Sequence, residues 1–128
     1  MNIYQLFPRL FGNKNTEIHY DGDKSENGCG TFADIDETAL NALKNLGITH
    51  IWLTGILRHS TAGENHPDIT KGKAGSPYAV TDYYDIDHDL GTFAELEALV
   101  NRVFCIICDC SHTWSIHTRK CIKQCTFS

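Results

Sequence analysis

The feature that most constrains the fold of this chain is an alternation of strand-forming and helix-forming segments. Residues 2–7 and 48–53 are short β-prone runs, whereas residues 35–46 and 92–103 carry apolar side chains at helical spacing. This order predicts parallel βαβ units in which the two strands are adjacent. The apolar run at residues 104–108 favours a third strand.

Capping residues mark the ends of both predicted helices. Gly47 follows the last apolar position of the first helix, where a glycine commonly ends a helix. Thr92 and Glu95 have the spacing of a capping box at the start of the second helix.

The loops differ in length in a way that favours one α/β architecture. The link from the first helix to the second strand is tight, whereas residues 11–31 and 54–91 read as long loops, each of which follows a strand. Long loops after strands are expected of a (β/α)₈ barrel, whose active-site loops lie at the carboxyl ends of the strands. A dinucleotide-binding sheet is disfavoured because no Gly-x-Gly-x-x-Gly turn follows the first strand.

Charge and composition exclude some classes of partner. The net charge is −5, and the Lys and Arg residues are scattered rather than clustered. This distribution argues against nucleic acid or an anionic membrane as the main partner. No run approaches the ~20 apolar residues of a membrane span, and residues 1–11 lack the pattern of a signal peptide. We therefore expect a cytoplasmic chain.

Four segments together resemble the α-amylase family, glycoside hydrolase family 13. They are residues 3–11 (IYQLFPRLF), 43–54 (LKNLGITHIWLT), 76–87 (SPYAVTDYYDID) and 89–100 (DLGTFAELEALV). The resemblance covers residues 1–103 and implies the N-terminal part of the catalytic barrel. The expected fold is α/β, an incomplete TIM (β/α)₈ barrel of roughly the first three β/α units. The implied activity is retaining hydrolysis of α-glucosidic bonds in starch-like glucans, with an α-glucan or maltooligosaccharide as substrate.

The resemblance also implies two substrate-binding residues, Tyr78 and His112. The family's counterpart of Tyr78 stacks on the sugar ring at the bond that is cut, and we expect Tyr78 at the carboxyl ends of the parallel strands. An aromatic face suits a pyranose because its C–H surface is apolar. Without the resemblance, Tyr78 would read as an ordinary loop tyrosine. His112 matches a histidine that binds sugar hydroxyls, although the asparagine that precedes it in the family is absent here.

We predict no catalytic residue in this chain. Retaining glycosidases use two carboxyl groups about 5 Å apart, and the family carries them on the fourth and fifth barrel strands, beyond the predicted third strand. We therefore expect the chain to be inactive alone. The acidic residues before the second helix match neither group, and we interpret them as a solvated loop in which Asp82 is structural; they are Asp82, Asp85, Asp87 and Asp89.

Other polar and aromatic residues have ordinary interpretations. Trp52 lies between apolar neighbours and is predicted to be in the core, and neither His50 nor His59 has a pairing that suggests catalysis. We predict no metal or cofactor in this chain, although the resemblance implies that a full-length member can carry calcium. Four loop residues have oxygen atoms of the kind that calcium binds, but a flexible polar loop explains them equally; they are Asn13, Asn15, Asp21 and Asp23.

Residues 104–128 depart from the family pattern. They hold five of the six cysteines and no Leu, Ala, Gly, Val or Glu. A barrel strand and its helix need such residues, so we interpret this tail as aberrant, the product of a frameshift or truncation. Two alternatives remain open: a non-catalytic carbohydrate-binding relic, and a small α/β protein with a zinc-binding module. The module's candidate ligands are Cys105, Cys108, Cys110, His112, His117, Cys121 and Cys125.

Overall fold

The protein is represented by a computed structural model that describes residues 1–62 and 70–108. In this part of the chain, four short strands form two separate two-stranded sheets. The elements in order are β1 (Ile3–Leu6), α1 (Pro8–Phe11), α2 (Lys24–Asn27), α3 (Glu37–Asn45), β2 (His50–Leu53), β3 (Leu57–His59), β4 (Val80–Ile86) and α4 (Phe93–Ile106). None of the described helices has the length and apolar character needed to cross a membrane.

β1 and β2 are parallel neighbours, which confirms the predicted pairing. Ile3 is opposite His50 and Leu6 is opposite Leu53. The amide of Thr54 extends the ladder by donating to the Leu6 carbonyl at 2.9 Å. Because the strands are parallel, the segments that follow them leave the sheet at the same edge.

The start of α4 and the glycine after α3 follow the predicted capping, whereas the cap at Asp36 was not predicted. The Thr92 hydroxyl accepts from the Glu95 amide at 3.3 Å, and the Glu95 carboxylate accepts from the Thr92 amide at 2.7 Å. Asp36 caps α3 by accepting from the Ala39 amide at 2.9 Å. Gly47 follows α3 with a φ of +81°, a conformation that favours glycine.

The prediction of a third strand at residues 104–108 is wrong. Helix α4 continues through Ile106, and the amide of Ile107 donates to the Val103 carbonyl at 2.8 Å. Val103 and Ile107 are four residues apart, so both lie on the helix face that meets the core. A short apolar run fits a strand or a buried helix turn equally well, and here the helical contacts decide.

Both long loops contain structure that the sequence analysis did not predict. In the first, Asp23 starts α2 with a capping box to Glu26. In the second, β3 and β4 form an antiparallel pair with an irregular register. The β-prone Val, Thr, Tyr and Ile residues of β4 and the capping spacing of α2 were visible signals, but both lie among Gly, Asn and Asp residues that favour loops.

The core lies on one face of the β1–β2 sheet, beneath α3 and α4. Strand residues that point to this face are buried or half-buried, and each fully buried leucine contributes roughly 1.5–3 kcal/mol relative to an exposed one. The buried apolar residues are Leu6, Phe32, Ile35, Leu40, Leu43, Ile86, Leu90, Leu96, Leu99 and Ile107.

The prediction that Trp52 lies in the core is wrong. Its side chain is 57% exposed, and that of Ile3 is 51% exposed. Side chains alternate between the faces of a strand, and these two lie on the face opposite the helices. Among the residues of β1, Leu6 alone is fully buried. The described residues therefore leave one sheet face open.

The capping box of α4 provides a test of the fold. Thr92→Ala removes the hydroxyl that accepts from Glu95, so we expect the free energy of unfolding to fall by about 1 kcal/mol. Urea unfolding followed by circular dichroism measures this change. The control Thr38→Ala, at an exposed position of α3, should change stability by less than about 0.5 kcal/mol. Equal effects of the two substitutions would contradict the assigned cap.

Candidate functional site

Tyr78 lies beside the carboxyl ends of β1 and β2. Gly55 comes shortly after β2, and a Cβ atom on it would lie 2.5 Å from the Phe7 ring and 2.8 Å from the Pro77 Cβ. Since Phe7 directly follows β1, Pro77 packs where the two strands end. The next side chain, that of Tyr78, is 76% exposed, so its ring is accessible to a ligand.

A hydrogen-bonded turn fixes the backbone on both sides of Tyr78. The Tyr78 amide donates to the Ser76 hydroxyl at 3.3 Å, and the Ala79 amide donates to the Ser76 carbonyl at 3.0 Å. The Ser60 amide in turn donates to the Ala79 carbonyl at 3.0 Å. The turn is thereby attached to the end of β3.

Gly75 brings this turn into direct contact with the neighbouring backbone. Its φ is +67°, and a Cβ atom on it would collide with the carbonyl oxygen of Ser60. Both the conformation and the close approach require glycine at this position.

The carbonyl of Ala74 is held from two directions. Arg9 donates from Nη1 to the Ala74 oxygen at 3.3 Å, and its guanidinium carbon lies 5.1 Å from the centre of the Phe7 ring. Such a cation–π contact orients the arginine while its head group reaches the carbonyl. His59 Nε2 lies 3.3 Å from the same oxygen and donates to it when it carries the ring proton.

His59 has the partners that its sequence context did not reveal. It is 4% exposed, and its Nδ1 lies 3.4 Å from the Leu57 carbonyl and 3.5 Å from Asp87 Oδ2. Asp87 is 6% exposed, so the interpretation of this aspartate as part of a solvated loop is wrong. Its backbone explains the burial, because its amide donates to the Ile56 carbonyl at 2.9 Å.

Lys24 supplies the positive charge that this buried carboxylate needs. Its Nζ lies 2.9 Å from Asp87 Oδ2 and 2.6 Å from Asp89 Oδ2. Burial by itself would lower the pKa of Lys24, but the hydrogen bonds to the two aspartates outweigh it and leave the pKa above its ordinary value. We refer to Lys24, His59, Asp87 and Asp89 as the polar tie.

The remaining aspartates of this region serve structural roles. The Asp82 carboxylate accepts from the Tyr84 amide at 2.8 Å, in keeping with the predicted loop anchor. Asp85 lies 3.3 Å from Arg58 and 3.1 Å from His88. Although partial desolvation acts to raise the pKa of Asp85, hydrogen bonds from its surroundings lower it below the ordinary value.

The loop side chains considered as calcium ligands accept hydrogen bonds from backbone amides. Calcium takes six to eight oxygen atoms, and here one oxygen of each side chain is engaged by an amide. Asn13 accepts from Asn15, Asn15 from Glu17, Asp21 from Lys73, and Asp23 from Ser25 and Glu26. Within residues 1–62 and 70–108, no group of three or more acidic, histidine or cysteine side chains is arranged to hold a metal ion.

Two predicted groups fall partly or wholly outside the described residues. His112 lies outside them, as do the candidate zinc ligands from Cys110 onward. Cys105 lies near the end of α4 and is exposed.

The sequence did not predict a role for Lys24 or Arg9 at this site. The only local signal for the tie was the position of Asp87 directly after the apolar residue that ends β4.

The close approach at Gly75 provides a test of the site's geometry. Gly75→Ala adds a Cβ atom that collides with the Ser60 carbonyl, whereas Gly72→Ala, at a φ of +79°, meets no atom closer than 3.7 Å. Gly72→Ala should lose about 1–2 kcal/mol for the left-handed conformation alone, and Gly75→Ala should lose clearly more. Thermal unfolding of both variants measures the difference, and equal losses would show that Gly75 is not packed as described.

Comparison with known proteins places the chain in a family. Residues 5–105 match the profile of the α-amylase catalytic domain. A noncanonic maltogenic α-amylase from Thermotoga neapolitana is similar in structure over 83% of this chain, with a TM-score of 0.57 and 32% identity. An α-amylase from Lactobacillus plantarum is similar over 82%, with a TM-score of 0.58 and 31% identity.

Two further relatives are similar to this chain over most of its length. A trehalose-6-phosphate hydrolase from Bacillus licheniformis covers 81% of this chain with a TM-score of 0.53 and 28% identity. An α-amylase from Haloarcula japonica is 28% identical over an alignment of 121 positions that covers 90% of this chain. The chain spans 14% of the Haloarcula protein, 15% of the Bacillus chain and 20% of the other two structures. The match over most of its residues shows that this chain belongs to the α-amylase family, glycoside hydrolase family 13.

Proposed function

We propose that this chain forms the N-terminal part of an α-amylase-type catalytic barrel and contributes a sugar-binding platform to a site that acts on α-glucans. The observation that carries the proposal is the position of Tyr78. Its exposed ring lies at the carboxyl edge of a parallel strand pair, and active sites of (β/α)₈ barrels are built at that edge.

The open face of the β1–β2 sheet supports the barrel. In a complete barrel of roughly 250 residues, every strand has two neighbours and its inner face packs against other strands. Here β1 and β2 pair only with each other among the described residues, and Ile3 and Trp52 are exposed on the face opposite the helices. These side chains therefore occupy the position of the barrel interior.

The chemistry of the site favours binding over bond cleavage by this chain alone. A tyrosine ring stacks on the C–H face of a pyranose and needs no charge to do so. Cleavage with retention needs a nucleophile and a separate acid/base, two carboxyl groups about 5 Å apart. In the segment that follows Tyr78, the carboxylate of Asp87 is buried in the polar tie, and that of Asp85 is paired with Arg58 and His88. Both carboxylates are therefore engaged in ion pairs that hold the structure together.

The relatives support the proposed substrate class. Those compared include α-amylases, one of them maltogenic, so we propose an α-glucan or maltooligosaccharide. The alternative of a carbohydrate-binding relic predicts the same platform without turnover in any context. No described contact favours the zinc-binding alternative.

Tyr78→Ala tests the platform. Maltoheptaose binding to the 128-residue chain, measured by calorimetry, should weaken roughly tenfold, the equivalent of about 1.4 kcal/mol of lost stacking. Tyr78→Phe should retain most of the affinity, because the ring is kept. Tyr84→Ala removes another exposed tyrosine, which lies within β4, and serves as the control.

The same samples test hydrolysis. We expect no release of reducing ends from starch by the unmodified chain, since we assign no catalytic carboxylate to it. Unchanged binding by Tyr78→Ala would refute the platform, and turnover that persists through rigorous purification would refute the assignment of catalysis to other residues.

A further inference from the structure

Lys24 is buried in a way that is unusual for a lysine on a surface loop. Its side chain is 12% exposed, although lysine side chains are normally solvated. It belongs to α2, a single helical turn fixed by the capping box between Asp23 and Glu26. The turn directs the ammonium group into the protein, where two aspartates receive it.

The ammonium group joins segments that are distant in sequence. Lys24 and Asp87 are 63 residues apart, and Lys24 and Asp89 are 65 residues apart. The first segment follows β1, and the second connects β4 to α4. One lysine thus connects the two long excursions of the chain that follow the parallel strands.

A chain of contacts leads from Lys24 to the segment that carries Tyr78. Asp87 Oδ2 lies 2.9 Å from Lys24 Nζ and 3.5 Å from His59 Nδ1. The other ring nitrogen of His59 lies 3.3 Å from the carbonyl oxygen of Ala74, and the ring donates in both directions when both of its nitrogens carry a proton. Ala74 directly precedes Gly75, the residue that sets the approach of the Tyr78 turn.

We propose that Lys24 is a positioning residue for the sugar platform: its buried ammonium holds Asp87 and, through His59, fixes the turn that presents Tyr78. This inference rests on the proposed sugar-binding role of Tyr78. The ammonium is a largely buried cation at the junction of these segments. Removing it leaves two carboxylates without their counter-ion, one of them buried, which is strongly destabilising locally.

The chain contains a matched control pair. Lys14 Nζ lies 3.1 Å from Asp34 Oδ1, but the Lys14 side chain is 87% exposed, and exposed pairs contribute little. Lys24→Met and Lys14→Met therefore remove the same charge, from a buried tie in one case and from a surface pair in the other.

Amide hydrogen exchange tests the inference without any sugar. In Lys24→Met, peptides covering residues 72–79 should exchange faster by on the order of tenfold, because the loss of a buried partner frees the turn. Lys14→Met should leave exchange there unchanged. Lys24→Arg, which keeps a cation, should restore much of the protection. Unchanged exchange at residues 72–79 in Lys24→Met would overturn the inference.

Two further measurements test the inference even if the Lys24→Met variant does not fold. Asp89→Asn removes the more exposed carboxylate and should give the same direction of change with a smaller size. In the unmodified chain, a small amine-reactive reagent should label Lys24 at least roughly tenfold more slowly than Lys14, because its ammonium is buried and paired. Equal labelling rates, or an Asp89→Asn variant with unaltered exchange, would contradict the tie.

Maltoheptaose binding separates the two proposals. If both hold, Lys24→Met weakens binding and Lys24→Arg restores it, whereas Lys14→Met leaves it within twofold. If the exchange and labelling results hold but the unmodified chain binds no maltoheptaose, the proposed function fails and the structural tie stands. If the unmodified chain binds and Lys24→Met binds equally well, the positioning role fails alone.

Discussion

The parallel pairing of β1 with β2 is the constraint on which the rest of this structure depends. It sends the chain out of the sheet at one edge twice, once after Leu6 and once after Leu53. It also gives the sheet one face that α3 and α4 cover and another that they leave open. The site and the core therefore lie at defined, separate places: the site lies at the strand ends, and the core lies beneath the helices.

Polar contacts hold the segment that carries Tyr78 at the ends of these strands. The aromatic ring of Tyr78 needs an exposed position, so little apolar burial is available to hold its backbone. A glycine that touches the Ser60 carbonyl, an arginine stacked on Phe7 and the polar tie supply that support instead. Buried charges are stabilising only when they are paired, and Asp87 meets this requirement through Lys24.

Local signals in the sequence predicted β1, β2, α3 and α4, but not α1, α2, β3 or β4. Strand and helix periods, the Thr92 capping box and Gly47 each act within a few residues, and the structure confirms them. The failures have a different origin. The assignments of Trp52 and of residues 104–108 depended on which face of an element meets the core, and the partners of His59 and Lys24 are contacts between distant segments. The position of Tyr78 was expected from the family resemblance, and the contacts that hold it were not.

We propose that the carboxyl edge of the β1–β2 pair, and not the open sheet face, meets an α-glucan. Nuclear magnetic resonance of the ¹⁵N-labelled chain during titration with maltotriose distinguishes these two surfaces. We expect shift changes to concentrate at residues 76–79 and at Gly55, with little change along Ile3 to Gln5 or at Trp52. Changes centred on Trp52 and Ile3, or spread evenly over the chain, would contradict it.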